Sequence, residues 1–294
     1  MSLIDDLQKR ILSLDEFYDL TIRILNYLPE VISTTKEVRG YTIIESLIGN
    51  TQKFGRPYNS NLFIFNAIEF SVQFVVFKKI LNQSADGKRN FEESDYAVID
   101  RITYTIQQSI GIALDLLGNQ NANRKHVGNR FEELIRLILE EINIKNKKIV
   151  LKIPHSKKGV YSCEIDLVCS PHNEVKSNRD TIDENEIVVS LKTSSKDRMG
   201  KIFVDKMLIS RFVKRDVKVV GIFLNDVQRK GSDNINFTFV AGLFMVYTKF
   251  LTKLDGVFFV DPTPHSIKDP YKKHIKRFSD FILCEARNLL GTTS

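Results

Sequence analysis

The sequence predicts an α/β chain, with a central mixed β-sheet flanked by helices in its second half and a helical region before it. Two observations carry this. Up to about residue 120, apolar residues recur at intervals of three and four, the period of amphipathic helices. Beyond that point, short β-branched segments alternate with helical ones, the order expected of a sheet with helices packed on it.

Taken along the chain, "LDEFYDLTIRILNYL" (14–28) and "DYAVIDRITYTIQQSIGIALDLL" (95–117) read as helices. "GRPYNSN" (55–61) and "NQSADGKRNFEESD" (82–95) are rich in turn formers and read as connecting loops. "GNQNANRKHVGNR" (118–130) is polar and glycine-bearing, and marks the expected boundary between a helical region 1–120 and a core domain 121–294. "FEELIRLILEEI" (131–142) is a helix with Phe131, Leu134, Ile135, Ile138 and Leu139 on one stripe. "KIVLKI", "VYSCEIDLVCS" and "EIVVSLKTS" then read as an antiparallel meander. "GKIFVDKMLISRFVK" (200–214) returns to helical spacing and "VKVVGIFL" (217–224) is a short buried strand. "NFTFVAGLFMVYTKFLTKL" (236–254) is apolar enough for a buried strand or a helix, and "GVFFVD" (256–261) is a further strand.

Composition excludes several classes. Hydrophobic residues at 43% and charged residues at 27% describe a folding chain rather than a disordered one. No run approaches the 18 or so apolar residues of a membrane span, and the first ten residues, "MSLIDDLQKR", lack the apolar core of a signal peptide. The three cysteines, Cys163, Cys169 and Cys284, have no CxxC spacing and leave one thiol over, so neither a zinc knuckle nor a disulfide framework is indicated. A cytoplasmic protein without a membrane partner is the expectation. A net charge of +7 favours a polyanionic partner. His126, His155 and His172 have no spacing that pairs them for a metal and read as solvated loop residues. "KDPYKKHIKRF" (268–278) reads first as a solvated helix face and second as a DNA-backbone surface.

The candidate chemistry starts from strand alternation. In "EIVVSLKTS", Val188, Ser190 and Lys192 share one face, and Val189 and Leu191 the other. In "CEIDLV", Glu164, Asp166 and Val168 share a face opposite Ile165 and Leu167. Cys163 and Cys169 flank that segment, would face opposite sides only if the strand were interrupted, and read as packing residues. Asp166 thus lies mid-strand beside the strand carrying Lys192. A buried carboxylate and ammonium each need a partner, because unpaired burial costs several kcal/mol, roughly. A structural ion pair at a sheet edge would answer that need. Two further carboxylates enlarge the set: Glu132, on the helix before the meander, with Glu133 as its rival about 100° round the helix, and Asp205, on the helix after it. Three carboxylates and a lysine can hold Mg²⁺ through oxygen and position a water against a phosphodiester.

"GNRFEELI", "EID" and above all "SLKTSSKDR" followed by Asp205 resemble the type II restriction endonucleases of the PD-(D/E)xK superfamily. Within them the resemblance is to the branch that includes EcoRII, SsoII and NgoMIV, which reads CCGG or interrupted CC/GG sites. It covers residues 125–215 or so and implies a restriction-endonuclease-like core. In that branch Ser or Cys replaces the acidic residue before the lysine, and a carboxylate on the next helix takes over its metal-binding role, as Ser190 and Asp205 do here. The resemblance implies catalytic roles for Glu132, Asp166, Ser190, Lys192 and Asp205, with Mg²⁺ on Asp166 and Asp205. The chain departs from the pattern in having Asp205 where Glu is usual, and Ile165 where proline often precedes the aspartate.

"KDR", Lys196 to Arg198, stands where related enzymes carry an Arg-Glu-Arg string that reads C·G pairs in the major groove. Cationic side chains can donate to guanine O6 and N7, and a carboxylate can accept from cytosine N4. Otherwise the string is a solvated loop in which Asp197 caps a helix starting around Gly200. What the resemblance implies is a Mg²⁺-dependent endonuclease for double-stranded DNA that cuts a palindrome containing CC/GG and leaves 5′ overhangs. A homodimer is the expected form, with a cognate DNA methyltransferase as functional partner. The other reading is a DNA-binding protein on the same fold that has lost cleavage.

Overall fold

The computed structural model describes residues 2–118, 120–157, 159–195 and 198–292. They divide into two compact units, one of residues 1–138 and 226–238, the other of residues 139–225 and 239–294.

The first unit opens with helices α1 (Leu3–Gln8) and α2 (Leu14–Val31), each N-capped by a serine. Four strands follow: β1 (Ile32–Val38), β2 (Tyr41–Ile48), β3 (Thr51–Phe54) and β4 (Tyr58–Asn59). They form an antiparallel sheet in which β2 pairs with β1, β3 and β4. The β1–β2 turn is Arg39-Gly40 with φ of 52° and 82°, the left-handed pair that tight hairpins favour. Helices α3 (Ala67–Ala85), α4 (Glu93–Leu117) and α5 (Gln120–Glu141) complete the run. α4 packs against both α2 and α3 and is buried almost all round from Ile99 to Leu116, as a central helix must be.

Most of residues 118–130, where the sequence places a boundary, belong to helix α5. Polar composition is overruled there by specific contacts within the unit. Asn123 donates to the Leu114 carbonyl at 2.5 Å, and Gln107 to the Val127 carbonyl at 3.0 Å. Arg130 is buried and donates to the carbonyls of Leu7 and Gln8.

The second unit holds a six-stranded mixed sheet made of β5 (Lys145–Pro154), β6 (Val160–Ser170), β7 (Ile187–Ser194), β8 (Val219–Asn225), β11 (Gly256–Phe259) and β12 (Ile275–Arg277), in the order β12-β11-β8-β7-β6-β5. β5, β6 and β7 form the antiparallel meander that the sequence predicts. β7, β8, β11 and β12 run parallel. β8 is buried along its whole length, the signature of a central parallel strand covered on both faces. Helix α6 (Arg198–Val213) lies on one face with Ile202, Phe203 and Ile209 in the core, and α7 (Ala241–Phe250) adds Phe244 to the same cluster. The segment 236–254 therefore resolves into the end of a strand followed by a helix. That strand, β10 (Asn234–Phe237), pairs with β9 (Val227–Lys230) in a hairpin of the first unit, where Val227 and Ile235 pack with Tyr41 and Ile43. "KDPYKKHIKRF" is not a helix face: it forms a short 3₁₀ turn and then β12, because Ile275 pairs beside Val257 and is buried there. A last helical segment covers 278–290.

Among the described residues no helix is long and apolar enough to cross a membrane.

Candidate active site

The site begins with an irregularity in β6. Lys147 pairs with Val168 but Ile149 pairs with Ile165, so two steps along β5 answer three along β6. One extra residue of β6 is accommodated there, and a bulge of this kind reverses the alternation of side chains beyond it. Cys163 and Ile165 before it, and Val168 after it, accordingly belong to one core cluster beneath α6. This corrects the uninterrupted alternation that placed Ile165 opposite Val168. Cys163 and Cys169 are both buried, and on the two sides of the interruption they face opposite ways.

Asp166 sits at this bulge. The paired part of β6 and β7 runs from Cys169 opposite Ile187 to Leu167 opposite Val189. Beyond it, the Leu191 N–H donates to Asp166 Oδ2 at 2.8 Å, so a carboxylate stands in for a ladder carbonyl. The same oxygen accepts the Ser190 hydroxyl at 3.3 Å and is ion-paired with Lys192 Nζ. Ser190 and Lys192 share a face of β7 with buried Val188, as the strand reading predicts. The pair is mostly enclosed, Asp166 at 15% and Lys192 at 19% side-chain exposure. Both charges are thus largely withdrawn from water and compensated by each other.

Asp205 reaches the same sheet face from α6. It forms an i,i+4 pair with Lys201 at 2.5 Å. Burial is the largest single influence on Lys201 and works against its charge, but the hydrogen bond and charge of Asp205, with smaller contributions from Tyr161 and Cys163, together raise the lysine pKa. The thiol of Cys163, three residues before Asp166 on β6, is pushed up by burial and then by the Asp205 carboxylate. Sequence reasoning passed over Lys201, although its spacing from Asp205 on a helix is a direct signal of contact. Both carboxylates carry an ammonium where a hard cation would bind, and carboxylate oxygen is the donor type Mg²⁺ prefers. Among the described residues, no group of three or more His, Cys, Asp or Glu side chains gathers closely enough to hold a metal.

The other predicted residues stand as follows. Glu132 is half-buried on α5, in the first unit, whereas Asp166, Ser190, Lys192 and Asp205 belong to the second. Glu133 is committed within the first unit, where it accepts from Arg130 and from the Ile11 N–H at 3.3 Å. Lys196 and Asp197 lie outside the described residues. Arg198 is exposed and opens α6, two residues earlier than the expected start at Gly200, with its N–H on the Ser195 carbonyl at 3.1 Å.

No known family profile matches the sequence, and no curated protein does. Solved structures do. The chain is similar to the crystal structure of the Type IIP restriction endonuclease Kpn2I, with a TM-score of 0.68 at 14% identity over 96% of this chain and 93% of that one. A second likeness, to the restriction endonuclease PspGI in complex with substrate DNA, has a TM-score of 0.47 at 12% identity over 75% of this chain and 93% of that one. The likeness to Kpn2I is one of fold: the chain has a restriction-endonuclease-like α/β fold with a mixed central sheet.

Proposed function

We propose that this protein is a Mg²⁺-dependent type II endonuclease that hydrolyses double-stranded DNA at a palindromic site containing CC and GG. The observation that carries the reading is the Asp166 carboxylate, held at a strand bulge by the Leu191 N–H, Ser190 and Lys192 on a sheet of this fold. Such a carboxylate–lysine pair, mostly enclosed and held by a backbone N–H and a hydroxyl besides, is more than an edge ion pair requires.

Asp166 and Asp205 would hold Mg²⁺ through their carboxylate oxygens, and Glu132 would support the site. When bound, Mg²⁺ supplies Lewis-acid stabilisation and a more acidic water. Lys192 orients the attacking water and offsets the negative charge that grows on the phosphoryl oxygens. Attack is in line: the water oxygen bonds to phosphorus, the bond to the 3′ oxygen breaks, and a 5′ phosphate remains. Ser190 keeps Asp166 and Lys192 in register. Lys196, Asp197 and Arg198, four to six residues beyond Lys192, carry the base reading, so the cut falls beside the C·G pairs and leaves 5′ overhangs. The reading further entails a cytoplasmic enzyme acting as a homodimer alongside a cognate DNA methyltransferase.

Plasmid DNA incubated with the protein and Mg²⁺ should give discrete fragments, with CC/GG at the mapped ends. Binding without cleavage would favour the cleavage-deficient alternative, and a cleaved site lacking CC/GG would remove the base-reading role. Asp197→Ala and Arg198→Ala should each lose about 1 to 3 kcal/mol of discrimination between sites, with general DNA affinity largely kept.

A further inference from the structure

We propose that the second unit carries a phosphate-binding site separate from the carboxylate–lysine cluster, in the cavity formed by the end of α7, the start of β11 and the turn leading into β12. The cavity has a volume of roughly 150 Å³, about ten times what one water needs. None of Asp166, Ser190, Lys192 and Asp205 lines it. It opens where β11 starts, at Asp255 to Val257, while Lys192 stands two strands away and toward the far end of β7.

The charges around this cavity do not balance. Lys253, Lys273, His274 and Lys276 line it together with two carboxylates, Asp255 and Glu285. Both carboxylates are already engaged. Asp255 accepts from the buried Lys206 ammonium at 2.7 Å and from the Val219 N–H at 2.8 Å, and Glu285 takes Lys276 at 2.5 Å. The side chains of Lys253 and Lys273 form no ion pair or hydrogen bond with the described residues. His274 lines the cavity with them: its ring stands edge-on to Phe244 at 6.0 Å, and its backbone N–H donates to the Tyr271 carbonyl at 2.8 Å. Burial, followed by repulsion from Lys253 and Lys273, lowers the His274 pKa. The cavity thus has two unneutralised cations beside an imidazole whose proton is held less tightly, through burial first and their repulsion second. A phosphate group, with close to two negative charges and several acceptor oxygens, would relieve this, whereas a carboxylate would neutralise only one of the two lysines. The inference does not depend on the nuclease reading.

The test follows the His274 imidazole of the full chain by NMR during pH titrations, with inorganic phosphate added and chloride at matched ionic strength as reference. Phosphate should raise the His274 pKa by about half a unit or more. The double variant Lys253→Gln/Lys273→Gln, altered only at exposed positions, should start from a higher value and lose the response to phosphate. A 5′-mononucleotide and a duplex oligonucleotide lacking CC/GG separate the sources of the phosphate. A response to the nucleotide alone identifies a free small ligand. A response to the duplex identifies a DNA-backbone contact, and the double variant should then lower the slope of log affinity against log salt by about two. No response to any of the three, or an equal response in the double variant, overturns the site whatever the plasmid assay shows.

Discussion

Asp166 takes its position from backbone as well as side chains, because one of its three donors is the Leu191 N–H. Asp166→Ala and Lys192→Ala should each reduce cleavage by at least about 10²-fold while DNA binding, measured by mobility shift without metal, stays within a few-fold. Normal cutting by either would take them out of the mechanism. Asp205 presents a competition, since Lys201 already occupies it. Asp205→Asn should fail, and Asp205→Glu should retain activity. Lys201→Gln should lower the Mg²⁺ concentration needed for half-maximal cleavage, at a cost in stability under about 0.5 kcal/mol for an exposed i,i+4 pair. An unchanged Mg²⁺ titration would show that the metal does not use Asp205. The thiols give a prediction with a sign in pH. Burial raises both Cys163 and Cys169, with Asp205 adding to the first and Glu186 to the second. Their thiolates therefore form only above the ordinary thiol range. A thiol reagent at pH 8 should label the exposed Cys284 alone, and labelling of Cys163 should rise with pH only beyond that.

At the scale of elements, α6 is what delivers Asp205, and it is held by its buried face. Phe203 is fully buried and meets Phe244 and Tyr247 edge-on at 5.9 and 5.5 Å. Phe203→Ala should cost about 3 to 5 kcal/mol in urea unfolding, and a cost under about 1 kcal/mol would mean that α6 is not anchored there. The buried Lys206 on α6 adds a tie to Asp255 at the start of β11. The meander and α6 were legible because each carries a local period over most of its length, and β8 because it is a short continuous apolar run. Strands β1 to β3 were not read from a region that looked helical, although "VRGY" and "IGNT" between β-branched runs are hairpin signals. The α5 start was hidden for the opposite reason, since its polar residues are paid for by contacts with α1 and α4 that no local pattern encodes.

For the whole molecule, a palindromic site is read most simply by a two-fold assembly, so light scattering should return twice the chain mass for the protein bound to DNA. A monomer both free and on DNA would contradict this. With a net charge of +7, DNA affinity should fall steeply as salt rises.

By itself the sequence determined the α/β class with its mixed sheet and the antiparallel meander, and it offered the candidate site residues, because side-chain period and charge are local properties of the chain. Only the tertiary structure decided which residues meet. Two-residue alternation is a rule for a strand paired without interruption, and whether the pairing is interrupted depends on the partner strand. The extra residue that β6 carries against β5 brings Cys163, Ile165 and Val168 to one face, and the donors of β7 hold Asp166 above that same face. α6, which carries Asp205, is packed on the sheet by Ile202, Phe203 and Ile209, long-range burial that no window of sequence contains.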